Sequence, residues 1–354
     1  MTLQIGIIGG GGIAAKLHVP QVQALGERAR VALVAGRKAH RLKYFRDTCG
    51  AATTTRYDDV VEDPSIDAVI VSTPPNHHVE WGLKALAAGK HLLLEKPLSG
   101  RFADANALVE AAARTDRTVM CLPHFDDTLM AARELITAGA LGTPSSAYAR
   151  NSHGGPELYY HEVNRIFGEP PAESLWFFDR EQAGVGALYD MGVYCVANLV
   201  ALLGSARRVS AFLATTSKPA TVDDTATVIL EMANGVIATA ATGWCDAGRS
   251  RSFAIHGDKA KLHAPGADGG PLSLHEPRDP WTDKRDIRVD AITPPPVLGS
   301  PHAHWLDCIE RGIHPPLSHA WAARHVCEIL QAAMQSAATG HAITLESAAD
   351  APAV

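Results

Sequence analysis

Two stretches of this chain carry residues whose types and spacing suit chemistry at the edge of a sheet. The first is Leu92-Leu93-Leu94-Glu95-Lys96-Pro97, a short apolar run ended by two charges and a proline. Pro97 cannot donate to a strand ladder, so the strand must stop before it. Glu95 and Lys96 then project from the carboxyl end of a buried strand, the edge at which open α/β sheets bind ligands. The bland alternative is a charged loop with its lysine in water. The second stretch is Gly9-Gly10-Gly11-Gly12-Ile13-Ala14, which follows the apolar run Leu3 to Ile8. Gly9, Gly11 and Ala14 fit the G-x-G-x-x-(G/A) pattern. In that pattern the first glycine permits a tight turn and the second admits a pyrophosphate to the backbone. The small third residue lets helix pack on strand. Gly9, Gly11, Gly12, Ile13 and Ala14 are accordingly the expected anion cradle, with the opening amides of the following helix holding the phosphates. Pro20 starts a second short helical segment.

A strand from Val31 to Ala35 ends at Gly36-Arg37-Lys38. Dinucleotide sites selective for NAD place an Asp or Glu here for the ribose 2′-hydroxyl. The local sequence has none, and Arg37 and Lys38 are able to receive a 2′-phosphate instead. A charge-assisted hydrogen bond of roughly 1.5–3 kcal/mol gives about a ten- to hundred-fold preference. NADP is therefore the expected cofactor. NAD is the alternative if Arg37 only stacks on adenine.

Further elements must position these groups. Helical patterns at 39–47, 79–88 and 102–114 alternate with strand patterns at 67–72, 91–94 and 118–121, which predicts a parallel doubly wound sheet. After Arg150 the pattern changes to strand-like runs at 206–216, 225–233, 236–244 and 251–257, with an Asn234-Gly235 turn between two of them. Amphipathic segments at 302–312 and 319–338 close the chain as helices. His77 and His78 are adjacent and so diverge on a helix, which argues against a metal site there. The segment from Asn151 to Trp176 is rich in His, Tyr and Gly, and reads as a long loop. It offers His153, Tyr159, Tyr160, His161 and Trp176 to a polyhydroxylated ligand, or else forms a surface lid. Pro294 to Pro296 reads as an exposed loop.

Composition narrows the classes. With 354 residues the chain is long enough for about two domains. Its net charge of −6 gives no footprint of nucleic-acid binding. No apolar run is long enough to span a membrane and the N-terminus lacks a basic leader, so a cytoplasmic protein is expected. The six cysteines are scattered without a Cys-x-x-Cys and read as buried free thiols in a reducing compartment.

The glycine fingerprint, Thr73-Pro74-Pro75-Asn76-His77-His78 and Glu95-Lys96-Pro97, in that order, resemble the Gfo/Idh/MocA family of oxidoreductases. Asp190-Met191-Gly192-Val193-Tyr194 resembles that family's Asp-x-Gly-x-His/Tyr signature. Val222-Asp223-Asp224-Thr225-Ala226, Ile255-His256-Gly257 and Trp305-Leu306-Asp307 through Gly312 resemble further landmarks. The similarity runs from Leu3 to about Leu345. It implies an N-terminal Rossmann domain (1–123) with a doubly wound parallel sheet. A C-terminal α+β domain (124–354) with a large open, mainly antiparallel sheet follows, for substrate binding and oligomerisation. The exposed face of such a sheet implies a homodimer or homotetramer.

The resemblance also implies cofactor contacts from Thr73, Pro74, Asn76, His78, Glu95 and Lys96, in addition to Gly36, Arg37 and Lys38. Lys96 would lie between the nicotinamide ribose and the substrate hydroxyl. Tyr194 would be the acid/base, alone or with Lys96, since a neighbouring ammonium favours the phenolate. Asp190 would orient substrate or polarise Lys96. The structural alternatives are a helix-capping Asp190 and a core Tyr194. Two departures stand out. Relatives often carry Arg-Phe where this chain has His124-Phe125, so His124 is the group left to contact cofactor or substrate. Tyr194 in place of histidine leans away from the inositol dehydrogenase branch. The substrate set is thus Lys96, His124, His153, Tyr159, Trp176, Asp190 and Tyr194, with no metal. The expected activity is NAD(P)-dependent hydride transfer on a secondary alcohol or ketone of a sugar, amino sugar or cyclitol. A redox-assisted glycosidase and a non-catalytic cofactor sensor are the alternatives.

Overall fold

The computed structural model describes residues 2–171, 175–183, 185–266, 270–279, 287–296 and 298–350. The chain forms two compact units, each interleaved in sequence. The first comprises Met1–His124, Glu157–Leu175 and Leu298–Cys327. The second comprises Phe125–Pro156, Trp176–Val297 and Glu328–Val354.

The first unit is built on six parallel strands, β1 (Leu3–Ile8), β2 (Ala29–Ala35), β3 (Ala52–Thr54), β4 (Ala68–Val71), β5 (His91–Leu94) and β6 (Val119–Cys121). Their spatial order is β3-β2-β1-β4-β5-β6. The order reverses between β1 and β4, the switch point at whose carboxyl edge this fold binds ligands. Burial on both faces explains why the strands read as unbroken apolar runs. Leu92 and Leu94 pack into one core with Val69, Val71 and Leu108, whereas Leu93 packs on the opposite face with Ile5, Ile70 and Trp305. All three leucines are completely buried. Each contributes about 1.5–3 kcal/mol by burial, which anchors the strand that ends at Glu95.

The second unit is a nine-stranded sheet of β7 (Pro144–Ser152), β8 (Ala206–Ala214), β9 (Thr225–Met232), β10 (Ile237–Gly243), β11 (Arg251–Gly257), β12 (Lys261–Ala264), β13 (Leu272–Pro277), β14 (Ile287–Ile292) and β15 (Ile343–Thr344). The order is β14-β13-β12-β11-β7-β10-β9-β8-β15, antiparallel throughout except for the β7–β10 pair. The helix Val193–Leu203 packs on β7 and β10. Val228 and Leu230 are buried on one face of the sheet, while Ile229 alternates to the other face and is 41% exposed. Phe212, Ile237 and Val289 are also exposed. Gly235 closes the β9–β10 hairpin at φ +89°, donating its N–H to the Met232 carbonyl at 3.0 Å.

Two expectations change. The stretch from Asn151 to Trp176 is not a simple loop, because Pro156–Phe167 is helical and belongs, from Glu157 on, to the first unit. Its histidines and tyrosines mask an amphipathic pattern. The cysteines are free but not uniformly buried: Cys245 is exposed and Cys49 partly so. The helix after the glycines is wound as a π-helix from Ala14 to His18, and the second short segment, Val19–Gln23, carries Pro20 in its first turn as expected. Among the described residues no helix is long and apolar enough to cross a membrane.

Candidate active site

In the first unit the glycine turn is dictated by contact. Gly9 sits at φ +112°, and a Cβ there would lie 2.6 Å from the carbonyl of Ser72 at the end of β4. The Gly9 and Gly10 N–H groups both donate to the Ala35 carbonyl at 3.0 and 2.8 Å, which ties the turn to the end of β2. Gly36 is buried against Gly10, where a side chain would press on its Cα at 3.3 Å. Gly11 faces open space, with nothing nearer to its missing Cβ than 3.9 Å. Ile13 is partly exposed and Ala14 fully buried. A Cβ on Gly12 would run into Val163 and the Tyr159 hydroxyl. The helix carrying these two residues is further joined to the turn by the Lys16–Glu162 ion pair, and the Lys16 ammonium lies 4.9 Å from the Tyr159 ring. Tyr159, expected to face substrate, therefore stands against the anion cradle.

At the end of β4, Thr73 is buried and its hydroxyl has no partner among the described residues. Pro74 leads into a 3₁₀ turn from Pro75 to His77, on which Asn76 is exposed. His78 is buried, with Nδ1 2.8 Å from the Pro97 carbonyl and Nε2 2.7 Å from the Thr73 carbonyl. Burial holds its pKa below the ordinary imidazole value. Both ring nitrogens face the chain itself, so His78 acts by binding the Thr-Pro-Pro turn to the Glu-Lys-Pro turn. The latter includes a cis Lys96–Pro97 bond.

Glu95 follows β5 and is almost fully buried. Its Oε2 accepts the Lys96 backbone N–H at 2.9 Å, and its Oε1 lies 3.4 Å from His18 Nε2. His18 Nδ1 is 2.9 Å from His302 Nε2, and His302 Nδ1 is 2.5 Å from Gln21 Oε1. Burial pushes the His302 pKa down to about 3, so its ring is neutral. If Gln21 Oε1 accepts from His302 Nδ1, His302 Nε2 accepts from His18 Nδ1, and the other His18 nitrogen is directed at the Glu95 carboxylate. Burial would raise the Glu95 pKa, but His18, Lys96 and the Lys96 N–H together bring it below the usual carboxylate range. Lys96 is partly exposed at the tip of this turn. His124 Nε2 meets His304 Nδ1 at 3.1 Å.

Arg37 is exposed at the end of β2, and among the described residues it has no partner. Lys38 is not equally available, since its ammonium lies 3.7 Å from Glu169. The absence of a carboxylate near this strand end, read from local sequence, is thereby corrected: Glu169 is brought there from more than 130 residues away, beside His40 and Arg41.

In the second unit Asp190 lies within a π-helical turn, Leu188–Gly192, that runs into the helix Val193–Leu203. It caps neither. Its Oδ2 accepts the indole N–H of Trp244 at 3.0 Å and lies 3.7 Å from His153 Nε2. Trp244 is completely buried and packs against the rings of Phe177 and Phe178. His153 Nδ1 accepts the Gly155 N–H at 2.8 Å, which leaves Nε2 as the protonated nitrogen facing Asp190 when the ring is neutral. Trp176 is partly exposed and packs edge-on with Phe177. Tyr194 is partly exposed in the first helical turn, whereas Val193, Cys195 and Val196 around it are buried. The Asp223-Asp224 pair supports this turn. Asp223 Oδ2 accepts the Leu188 N–H at 2.8 Å, and a Cβ on Gly186 would overlap Asp223. Asp224 accepts backbone N–H groups of Thr216, Ser217 and Lys218, and its own carbonyl accepts the Trp244 backbone N–H at 2.7 Å.

The sequence reading missed Trp244, His18, His302 and Glu169. Only Trp244, the last residue of the predicted strand 236–244, carried a local hint. Among the described residues no group of three His, Cys, Asp or Glu side chains is placed to hold a metal.

Comparison with known proteins agrees with this architecture. A family model described as an oxidoreductase family with an NAD-binding Rossmann fold matches residues 3–122, and one for the GFO/IDH/MocA C-terminal domain matches residues 129–263. The dTDP-3,4-didehydro-2,6-dideoxy-alpha-D-glucose 3-reductase of Streptomyces violaceoruber is 31% identical over 59% of this chain and 56% of its own length. The reductase of the same name from Saccharopolyspora spinosa is 32% identical over 54% and 53%. The match thus spans about half the length of these curated relatives. The scyllo-inositol 2-dehydrogenase (NADP(+)) of Bacillus subtilis is 24% identical over 98% of this chain and 96% of its own. A levoglucosan dehydrogenase, solved with NADH and levoglucosan, shares the fold with a TM-score of 0.82 at 23% identity, over 97% of this chain and 99% of that one.

Proposed function

The chain belongs to the Gfo/Idh/MocA oxidoreductase family, and from this we propose that it catalyses NAD(P)-dependent oxidoreduction of a secondary alcohol or ketone on a sugar, amino sugar or cyclitol. The observation that carries the reading is the edge formed by β1, β4 and β5. There a glycine turn that tolerates no side chain at Gly9, the unpartnered buried Thr73 hydroxyl and the Glu95-Lys96 pair stand at the ends of adjacent strands.

These residues fit a dinucleotide. Gly9, Gly11, Gly12, Ile13 and Ala14 would cradle its pyrophosphate, and Thr73, Pro74, Asn76, Glu95 and Lys96 would line its nicotinamide half. The nicotinamide, when bound, accepts or supplies the hydride. The protein's part is to hold substrate and move one proton. Lys96 is the cation that would hold the substrate oxygen, with Glu95 fixing its backbone and balancing its charge. Tyr194 would take or return the hydroxyl proton. Asp190, oriented by Trp244, would bind a second substrate hydroxyl, and His153, His124 and Trp176 would complete the polar and aromatic lining. Tyr159 contributes from the helix packed on the cradle.

NADP is the proposed cofactor, through Arg37, with NAD the alternative; the NADP-dependent inositol dehydrogenase and the NADH-bound levoglucosan dehydrogenase are similar to this chain on either side of that choice. Residues 1–123 would bind the dinucleotide, and residues 124–354 would bind substrate and associate as a homodimer or homotetramer. The exposed Phe212, Ile229, Ile237 and Val289 give the association an apolar face. The enzyme would work in the cytoplasm.

The deciding experiment is cofactor reduction across sugars, amino sugars and cyclitols with NADP and NAD, using Lys96→Ala as control. Loss of activity by about 10²–10⁴-fold in the variant is expected. Turnover close to wild type would remove Lys96 from the mechanism.

A further inference from the structure

Cofactor choice, on the function proposed for this chain, lies with the cations that follow β2. Three of them occur within five residues, Arg37, Lys38 and Arg41, with His40 between. The structure sets one carboxylate among them. Glu169 Oε1 lies 2.6 Å from Arg41 Nε, 2.5 Å from His40 Nε2 and 3.7 Å from Lys38 Nζ, while Oε2 takes the second Arg41 donor, Nη2. The two-pronged Arg41 contact fixes the carboxylate plane as well as its position. Glu169 is only 15% exposed, and Arg41, then His40 and Lys38, bring its pKa to about 2 against the effect of burial. It is an anion at any working pH.

The segment that delivers Glu169 is itself anchored to the dinucleotide-binding elements. Phe167 packs edge-on against Tyr44 and lies beneath the Arg41 guanidinium at 4.7 Å. The Glu169 N–H donates to the Asn164 carbonyl at 2.8 Å, and Asn164 Nδ2 donates to the Pro170 carbonyl at 3.1 Å. The carboxylate therefore cannot drift away when a ligand arrives without breaking these contacts. Arg37 stands outside the cluster.

We propose that Glu169 is a specificity-determining residue: it draws Lys38 and Arg41 into an internal ion cluster and adds a negative charge at the end of β2, so that recognition of a 2′-phosphate rests on Arg37 alone. The proposal depends on the dinucleotide-binding function and sharpens it. A site with Lys38 and Arg41 released would favour the phosphorylated cofactor strongly; the site as built is tempered toward accepting both.

Equilibrium binding of NADPH and NADH, followed by the fluorescence of the reduced nicotinamide, tests this without any substrate. Glu169→Gln is expected to raise the NADPH-to-NADH affinity ratio by about tenfold, the worth of one additional charge-assisted hydrogen bond to the phosphate. Lys38→Ala is expected to leave the ratio within about twofold in the wild-type background and to lower it several-fold in the Glu169→Gln background, the mark of a coupled pair. Glu169→Asp, which keeps the charge, should retain the wild-type ratio. A ratio unchanged in Glu169→Gln, or equal losses for both cofactors, overturns the proposal and leaves a purely structural ion cluster. Lys38 is exposed, so Lys38→Ala folds even if Glu169→Gln does not, and a large fall in the ratio for that single variant also overturns it. A wild-type protein that binds neither dinucleotide refutes the cofactor reading itself, and the proposal with it.

Discussion

Replacing Trp244 by phenylalanine separates orientation from packing at the second half of the site. The indole N–H donates to Asp190 Oδ2 at 3.0 Å from a completely buried ring. Phenylalanine keeps aromatic contact with Phe177 and Phe178, which lie 5.6 and 6.0 Å away between ring centroids. It removes the donor. A hydrogen bond to a charged acceptor is worth about 1.5–3 kcal/mol, so if Asp190 must be held in one orientation to bind substrate, kcat/KM falls by about ten- to a hundred-fold. The smaller ring also leaves a cavity, for which about 1–3 kcal/mol of stability is lost, well short of unfolding. The assay is steady-state kinetics on the substrate found in the cofactor-reduction screen, with NADPH binding and a urea titration in parallel. The expected pattern is a loss in kcat/KM with unchanged NADPH affinity, because Trp244 and the dinucleotide-binding turn belong to different units. If kcat/KM stays within about twofold of wild type while the urea midpoint falls, Trp244 only fills space and Asp190 needs no orienting donor. That result would refute the reasoning about Asp190.

Three further outcomes follow from the geometry. Arg37→Ala is expected to weaken NADPH binding by about ten- to a hundred-fold and to leave NADH nearly unchanged; equal losses in a titration with both would mean that the guanidinium only stacks on adenine. Gly9→Ala forces a side chain into a positive-φ turn 2.6 Å from the Ser72 carbonyl, so dinucleotide binding is expected to vanish and the melting temperature to drop, as differential scanning calorimetry would record. Burial would raise the Asp224 pKa, but three backbone N–H groups outweigh it and bring the value to about 2. A folded-state pKa below the unfolded value near 3.9 contributes stability above that value and loses it as pH falls from about 4 through about 2, here on the order of 2–3 kcal/mol. Asp224→Asn should remove that stability at pH 7 and flatten the acid limb of the urea-midpoint profile; an unaltered limb would show the carboxylate to be dispensable.

What was legible in the sequence was whatever local pattern controls. The three leucines before Glu95 announced a strand covered on both faces, and β5 ends at Leu94 as the proline requires. Gly9 was legible because the chemistry of the turn excludes every other residue. The helix Pro156–Phe167 was not, because its contacts, Val163 against Gly12 and the Lys16–Glu162 pair, lie about 150 residues away in the chain. His18 and His302 were missed for the same reason. Each alone is an ordinary histidine, and only folding places them in line behind Glu95.

Glu169 shows most clearly how such distance alters a functional reading. The stretch Gly36-Arg37-Lys38 argues for a 2′-phosphate by two means, the presence of cations and the absence of a carboxylate. Folding reduces the first and removes the second, since Lys38 faces Glu169 and only Arg37 is left exposed without a partner among the described residues. A motif rule that counts charges next to a strand would place this chain with strongly NADP-selective enzymes. Counting the charges that remain uncommitted gives one cation, not two. Selectivity then depends on one side chain whose removal should be felt at full strength, because Lys38 and Arg41 are already held by Glu169 and cannot compensate.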